Sequence, residues 1–279
     1  MTMKIIDPHV HFFNLNQGQY AWLQGSTSPN WPNLEKIKQP VSATQLNQST
    51  SFELAGLVHI EAGFDNHAPI NELHWLSAHL KHVNYKAVAY TCINQAPNDF
   101  KAAINALNHP SLIGIRDITE GHEAQRLIHP NCIDNLAHLA KCQLHFEAQF
   151  SVENQPITKK LIHYCTEHPH LTVIINHCGL VRDIPLWEHA IAALAQQKNI
   201  LIKFSGFELL TLNKQQQCAC FNYLLQHFGD ERVMFASNFP VCQINQSYQQ
   251  VWQNYFHLCQ SRDHWQRLSY DNAKRIYQL

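Results

Sequence analysis

Short apolar runs alternate with amphipathic stretches along most of this chain. The runs are rich in β-branched and aromatic residues, which favour extended strands. They predict eight strands, at residues 3–11, 54–60, 85–93, 112–117, 143–149, 171–176, 200–205 and 233–237. Between the strands, apolar residues recur at the spacing of a helix with one buried face. These stretches predict helices at residues 70–82, 98–107, 156–167, 185–197, 215–228, 246–259 and 263–278.

The alternation of strands and helices predicts a parallel sheet, because a helical crossover returns the next strand in the same direction. Eight such repeats close naturally into a (β/α)8 TIM barrel, so that residues 1–279 would form a single domain. An open, doubly wound sheet is the alternative. No glycine-rich phosphate-binding motif follows any predicted strand, and only nine glycines are present, so we expect the barrel.

The segment 14–40, directly after the first strand, is an insertion in this pattern. It is longer than an ordinary loop between a strand and a helix. It carries Tyr20, Trp22 and Trp31 in an otherwise polar stretch. These aromatic residues favour a lid over the barrel mouth rather than a disordered excursion.

Charge and composition narrow the partners that this chain can have. The formal net charge is −1, and no run of five like charges occurs, which argues against nucleic-acid or membrane-surface partners. The N-terminus reaches Lys4 and Asp7 before a secretory apolar region can form, and no stretch approaches the ~20 apolar residues of a membrane span. We therefore expect a cytoplasmic protein that acts on a small molecule. Its nine cysteines are expected to be free thiols.

The first strand ends in two histidines, His9 and His11. In a strand, side chains two residues apart share a face, so both imidazoles can hold one metal ion or flank one substrate. The chain contains 20 histidines, so the pair alone is a weak signal. Its position at the end of a barrel strand, where barrel enzymes carry their chemistry, favours a functional site.

Polar residues also collect at the ends of the other predicted strands. They are His59 and Glu61, Thr91 and Asn94, Arg116 and Asp117, Glu147 and Gln149, His177, Lys203 and Ser205, and Ser237 and Asn238. Arg116 suits a substrate carboxylate or a lactone carbonyl, or else an ion pair with a neighbouring acid. Lys203 either neutralises an oxyanion or is buried beside Glu147. With Glu61, these two residues are the candidates for substrate binding.

Several segments resemble the amidohydrolase superfamily. Residues 7–12 (DPHVHF) resemble its first-strand motif. Similarity to the amidohydrolase-2 branch extends over residues 114–116 (GIR), 175–179 (INHCG), 203–206 (KFSG), 232–240 (RVMFASNFP) and 272–277 (NAKRIY). The segments span nearly the whole chain and follow the order of the predicted strands. The branch includes lactone hydrolases that act on sugar lactones and pyrone carboxylates, and also zinc-dependent decarboxylases.

The resemblance implies a metal-dependent-hydrolase-like barrel with a specific set of site residues. His9, His11 and His177 would face position 238, which in the family is typically an aspartate that acts as a base and, where a metal is present, as a ligand. Here that position is Asn238, whose amide takes up no proton at neutral pH. These four residues are the predicted catalytic set. Glu61 and Asp117 are the nearest substitutes for the missing base.

The cofactor implied by the resemblance stays open at this point. Three neutral imidazoles from His9, His11 and His177 suffice for one Zn²⁺ or another divalent cation with an open position. A metal-free site, in which the histidines form hydrogen bonds and transfer protons, is the alternative. A two-metal site is not expected, because the bridging Lys or Glu of the two-metal members has no counterpart at the ends of the fourth and fifth strands.

Taken together, these features predict a hydrolase that opens a small, anionic cyclic ester. Arg116 would hold the substrate, and Asn238 would orient the attacking water, so Asn238→Asp is expected to preserve or raise activity. Two alternatives are a zinc-dependent, non-oxidative decarboxylase of an aromatic acid and a barrel that binds a small ligand without catalysis.

Overall fold

The computed structural model describes residues 3–25 and 28–279. The strands are β1 (Lys4–Val10), β2 (Glu53–Ile60), β3 (Tyr85–Tyr90), β4 (Leu112–Ile118), β5 (His145–Gln149), β6 (Val173–Ile175), β7 (Ile200–Phe204) and β8 (Val233–Phe235). The α-helices are α1 (Ala21–Gln24), α2 (Ala43–Gln48), α3 (Ile70–His79), α4 (Pro97–Ala106), α5 (Cys132–Lys141), α6 (Gln155–Glu167), α7 (Ile184–Leu194), α8 (Lys214–Phe228), α9 (Tyr248–Leu258), α10 (Arg262–Gln266) and α11 (Asn272–Tyr277). Short 3-10 helices cover Leu34–Lys36, Gly121–Ile128, His177–Gly179, Phe207–Leu209 and Val241–Ile244.

The eight strands form one parallel sheet in sequence order, from β1 through β8. An isolated parallel bridge between Val10 and Phe239 joins β1 to the chain just after β8 and nearly closes the sheet. Helices alternate with the strands around it. The predicted (β/α)8 TIM barrel is therefore confirmed.

The predicted elements differ from the observed ones mainly at their ends. The strands β6 and β8 have only three residues each, because the chain turns into left-handed backbone at His177 and at Asn238 soon after them. Helix α5 was not predicted, although Leu136 and Leu139 give it a buried face. The single helix predicted at 263–278 is instead α10 and α11, separated by a π-helical turn.

The hydrophobic core has two layers. The larger layer lies between the strands and the surrounding helices, and the smaller one lies inside the barrel. The inner layer contains Ile6, Val58, Ile60, Val88, Ile113, Ile174, Leu201 and Met234, together with Ala273 and Tyr277 of α11. The closing helix thus fills the amino-terminal end of the barrel with side chains. The opposite end, at the carboxyl termini of the strands, carries the polar residues.

The insertion 14–40 packs against the barrel, apart from Ser26 and Thr27, which lie outside the described residues. Tyr20 is fully buried, and the indole N–H of Trp22 donates to the Ala62 carbonyl oxygen at 2.8 Å. The rings of Trp22 and Trp31 have their centroids 5.9 Å apart. The described part of the insertion is therefore anchored by aromatic contacts. Among the residues described, none of the helices has the length and apolar character needed to cross a membrane.

Candidate active site

A cavity of about 1270 Å³ lies at the carboxyl ends of the strands. Barrel enzymes place their reacting groups at this end. The predicted site residues that line the cavity are His11, Glu61, Arg116, His177 and Asn238. His9 and Lys203 are fully buried and stand behind this lining. Trp22 and Trp31 of the insertion contribute an aromatic wall.

Three histidines lie against one another beside this cavity. The ring centroid of His9 is 5.0 Å from that of His11 and 4.5 Å from that of His177. Burial holds the pKa of each imidazole well below its ordinary value of 6.5, and the positive charges of Arg116 and Lys203 add to this effect. The three imidazoles are therefore neutral at pH 7.

Hydrogen bonds orient these rings. His11 Nδ1 lies 2.8 Å from the carbonyl oxygen of Ile60, which can only accept, so Nδ1 carries the proton and Nε2 is an acceptor. His177 Nδ1 lies 3.0 Å from Ser205 Oγ. His9 Nε2 is buried and has no hydrogen-bond partner among residues 3–25 and 28–279. The site thus combines neutral acceptors with a ring nitrogen that is still free to bind.

The backbone around these residues adopts left-handed conformations. The φ angles of His177, Cys178 and Asn238 are 53°, 54° and 58°. Such angles cost on the order of 1–2 kcal/mol for most residues with a Cβ atom, and asparagine adopts them most readily. Gly206 has φ of 84°, and a Cβ atom there would lie 2.5 Å from His177 Cβ. Only glycine therefore lets the chain after β7 pass directly over His177.

Arg116 near the end of β4 is held by three acceptor atoms, which are Glu61 Oε1, Gln149 Oε1 and the backbone carbonyl oxygen of Glu61, to which Nη2 donates at 2.8 Å. Its Nε and Nη2 lie 2.8 and 2.7 Å from Glu61 Oε1, and Nη1 donates to Gln149 Oε1 at 2.8 Å. Arg116 and Glu61 are only 4% and 5% exposed. The ion-pair partner is therefore Glu61 rather than an acid adjacent to Arg116 in sequence. One N–H of Nη1 remains for a ligand, which suits a single carbonyl oxygen better than a bidentate carboxylate.

Lys203 forms a fully buried ion pair with Glu147, at 2.7 Å from Nζ to Oε2. Tyr277 of the closing helix donates its hydroxyl to the other carboxylate oxygen of Glu147 at 2.5 Å. Lys203 Nζ also lies 3.5 Å from His9 Nδ1. Of the two interpretations of Lys203 offered by the sequence, the geometry favours burial beside Glu147 over contact with a substrate.

Asp117, the penultimate residue of β4, is the second substitute for the missing base expected from the sequence, but its oxygens already accept three hydrogen bonds. Arg126 donates to both of its oxygens, at 3.0 Å from Nε and 2.6 Å from Nη2. The backbone N–H of Ile93 donates a third hydrogen bond at 3.0 Å. Asp117 therefore holds the Gly121–Ile128 helical segment, which carries Arg126, against the barrel.

Glu208 is a cavity residue that the sequence analysis missed. It lies in the short helix Phe207–Leu209 after β7, it is 5% exposed, and its Oε1 accepts a hydrogen bond from Asn238 Nδ2. Burial raises its pKa to about 7, and the bond from Asn238 opposes that shift. The predicted seventh strand ends at Ser205, whereas Glu208 reaches the site through the turn that begins at Gly206. The glycine that follows Ser205 is the one sequence signal for that turn.

A divalent metal, which the family resemblance implies, finds only part of a ligand set here. The free Nε2 of His9 and the hydrogen-bonded Nδ1 of His11 are features of histidine ligands. Against this, Lys203 lies beside His9, and position 238 supplies an amide. In the part of the chain that the structure describes, no group of three or more His, Cys, Asp or Glu residues has an arrangement that could hold a metal ion. The residues present do not fit a metal, so the zinc ligand set remains a prediction and no step below depends on it.

Comparison with known proteins gives a family and several structural neighbours. The model of the amidohydrolase family matches residues 6–279. An amidohydrolase from Burkholderia multivorans with bound zinc superposes with a TM-score of 0.80, at 18% identity over 99% of both chains. A putative 2-pyrone-4,6-dicarboxylic acid hydrolase from Pseudomonas putida superposes with a TM-score of 0.72, at 17% identity over 100% of this chain and 98% of that one.

A third neighbour is a 2,6-dihydroxybenzoate decarboxylase from Rhizobium. It superposes with a TM-score of 0.66, at 13% identity over 100% of this chain and 99% of that one. Likeness at these identities shows a shared barrel fold. The neighbours include both hydrolases and a decarboxylase, so the fold alone does not select the reaction.

Proposed function

Because this chain belongs to the amidohydrolase family, amidohydrolase-2 branch, we propose that it is a hydrolase that opens a small cyclic ester. The observation that carries the proposal is the convergence of His11, His177, Arg116 and Asn238 on one cavity. His11, His177 and Asn238 are uncharged and can donate a hydrogen bond or orient water without a change in charge. Ester hydrolysis needs that combination of a polarised carbonyl and a positioned water molecule.

In this proposal the lactone carbonyl oxygen binds between His177 and Arg116. The N–H of Arg116 Nη1 that Gln149 leaves free donates to that oxygen. His177 donates from Nε2 when Ser205 donates its hydroxyl hydrogen to Nδ1. Both donors gain strength as negative charge develops on the oxygen in the tetrahedral transition state.

The attacking water binds on the side of the site formed by His11 and Asn238. His11 Nε2 is a lone-pair acceptor, because Nδ1 is held by the Ile60 carbonyl. The side-chain oxygen of Asn238 is a second acceptor, since its Nδ2 donates to Glu208. Two acceptors direct the two water hydrogens and turn a lone pair toward the carbonyl carbon.

The substrate is expected to have a ring that packs on the aromatic wall. Trp22 and Trp31 line the cavity on the side of the insertion. Because Glu61 neutralises Arg116, the geometry favours an uncharged carbonyl at this position. The anionic character predicted from the sequence is therefore tested by including neutral and carboxylated lactones in the same assay.

The test is hydrolysis of a panel of sugar lactones and pyrone carboxylates, neutral and charged. We expect measurable turnover by the wild-type protein and a loss of at least about 100-fold in kcat for His177→Ala, as when one oxyanion donor is removed. His163→Ala, at a side chain 48% exposed on α6, is the matched control and is expected to behave like wild type. A fully active His177→Ala variant would contradict the assignment of the site.

The two alternatives give different outcomes in the same preparation. A zinc-dependent decarboxylase needs a firmly held metal, so elemental analysis of untagged protein would find close to one equivalent, together with CO2 release from an aromatic acid. Less than a tenth of an equivalent of metal per protein chain, in a preparation with lactonase activity, would exclude that alternative. A barrel that binds without catalysis would bind lactones in calorimetry and hydrolyse none, with His9→Ala as the control for binding.

A further inference from the structure

Glu208 differs from the other buried carboxylates of this barrel in its partners. Ion pairs hold three of them, and these pairs are Glu61 with Arg116, Asp117 with Arg126 and Glu147 with Lys203. A fourth, Glu72, accepts hydrogen bonds from Nε2 of the neutral His59 ring and from the backbone N–H of Ala62. A fifth, Asp7, accepts hydrogen bonds from Ser237, Tyr248 and two backbone N–H groups. Within residues 3–25 and 28–279, no cationic side chain lies within ion-pair distance of Glu208, whose one side-chain donor is Asn238.

An unpaired carboxylate in a buried position destabilises a fold. Its transfer out of water is unfavourable, and neither an ion pair nor a full set of hydrogen bonds offsets that cost here. Packing alone gives no reason for an acid at this point. The position of the carboxylate in the candidate active site supplies a chemical reason instead.

The turn after β7 brings Glu208 to the place where the reaction needs a base. Gly206, in its left-handed conformation, lets this turn cross over His177, and Glu208 then lines the cavity with His177, His11 and Asn238. The Asn238 amide donates to Glu208 Oε1, so the carboxylate directly adjoins the residue proposed to orient the water. Base and water site are therefore neighbours.

We propose that Glu208 is the catalytic base of this barrel and accepts the proton that Asn238 cannot take. The inference rests on the proposed lactone hydrolysis and adds to it the group that activates the water. Asn238 thus orients the water and Glu208 accepts its proton, two roles for which the family resemblance implies one aspartate.

The step balances with water as the only co-reactant. A lone pair of the water oxygen forms the new C–O bond to the lactone carbonyl carbon, while the water hydrogen that Asn238 orients leaves Asn238 and transfers to the adjoining Glu208 carboxylate. The tetrahedral intermediate then re-forms its carbonyl and breaks the ring C–O bond. Glu208 returns its proton to the departing ring oxygen, which leaves a hydroxy acid and restores the carboxylate.

The surroundings of Glu208 suit a group that gains and loses a proton near neutral pH. Burial raises its pKa to about 7, close to the optimum for a general base in neutral solution. The titratable groups that face it are Tyr255, Cys178 and Cys242, and burial raises the pKa of each well above its ordinary value. The histidines across the cavity, His11 and His177, are neutral. The groups around Glu208 therefore leave its charge unneutralised.

The first test is Glu208→Gln in the full-length protein, assayed on the lactone that wild type opens fastest. We expect kcat to fall by about 100-fold or more, as for removal of a general base. The acidic limb of the kcat/KM profile, present in wild type near pH 7, should disappear. Glu167→Gln is the matched control, because Glu167 ends α6, is 52% exposed and lies outside the cavity lining, so wild-type activity is expected.

The second test exchanges the two side chains. Asn238→Asp alone places a second carboxylate against Glu208, so that the two share a proton and activity falls, in contrast to the preserved or raised activity expected from the sequence. The double variant Asn238→Asp with Glu208→Gln restores one carboxylate and one amide in reversed positions. We expect it to recover at least about tenfold in kcat over Glu208→Gln, which a purely structural role of Glu208 would not produce.

The outcomes separate this inference from the proposed function. If wild type is active and the kcat of Glu208→Gln lies within threefold of the wild-type value, the assignment of Glu208 alone is overturned. The same holds if the acidic limb is retained in that variant. A double variant no more active than Glu208→Gln does the same. If Glu208→Gln does not fold, Glu208→Asp is assayed instead. A lower kcat with a retained acidic limb would support the role of Glu208 as the base, and an unchanged kcat would contradict it. Wild type that opens none of the lactones overturns both proposals.

Discussion

Arg116 and Glu61 form a buried pair whose members depend on each other. Both are almost fully buried, and Arg116 gives two of its donors to one oxygen of Glu61. Burial raises the pKa of Glu61 to about 7 even though Arg116 lowers it. The positive charge of Arg116 therefore opposes the protonation of Glu61 that burial favours.

We expect Arg116→Met to lower the free energy of unfolding by about 3–5 kcal/mol, because Glu61 would be left buried without its partner. Adding Glu61→Gln to that variant should recover part of the loss, since an amide carries no charge to desolvate. Urea unfolding of the wild type, both single variants and the double variant measures this coupling. Additive losses would show that the two side chains act independently.

At the scale of elements, the turns after β6 and β7 build the site. The chain after β6 is left-handed at His177 and Cys178, and the turn after β7 crosses it at Gly206. The two turns approach so closely that a Cβ atom at Gly206 would lie 2.5 Å from His177 Cβ. The position of Glu208 is thus tied to that of His177.

Gly206→Ala should therefore reduce both stability and activity. Gly121, the first residue of the Gly121–Ile128 segment, offers a matched control, because its φ of 55° is also positive but no atom lies within 4 Å of its Cβ position. Both alanines meet the backbone cost, whereas only Gly206→Ala adds the collision, which we expect to cost about 1–3 kcal/mol more. Thermal unfolding and lactone turnover measure the difference, and equal effects of the two substitutions would contradict it.

At the scale of the whole molecule, the barrel buries two opposing sets of titratable groups. Burial lowers the pKa of each of the buried histidines, which are His9, His11, His59, His145 and His177. It also raises the pKa of Asp7 to about 6 and that of Glu61, Glu72 and Glu208 to about 7. These shifts make the stability of the fold depend on pH in a specific way.

Below pH 6.5 the histidines bind protons in the unfolded state but not in the folded state, where their pKa is lower. They therefore lower the free energy of unfolding as pH falls. Between pH 7 and about 4.5 the folded carboxyl groups hold protons that the unfolded ones release, which offsets this loss. We expect the free energy of unfolding to change little from pH 7 to 5. It should then fall steeply below pH 4.5, by about 1.4 kcal/mol per pH unit for each uncompensated proton. Urea unfolding in chelator-containing buffer from pH 8 to 4 tests this, and a steep loss already above pH 5 would contradict it.

The barrel itself was predictable because its signal is local. Each strand shows as a short apolar run and most helices as a 3.6-residue period, and the parallel order follows from their alternation. The histidines were also predictable, since His9, His11 and His177 directly follow or end strands and carry the family resemblance. Strand ends converge at one side of any such barrel.

The partners of these residues were decided only by the tertiary structure. Arg116 pairs with Glu61, which lies 55 residues away, rather than with its neighbour Asp117. Asn238 contacts Glu208, which lies 30 residues away in a turn beyond the predicted end of the seventh strand. Local patterns fix which segments become strands and where those strands end. Charge pairing and burial depend on distances between segments, and these arise only when the barrel closes.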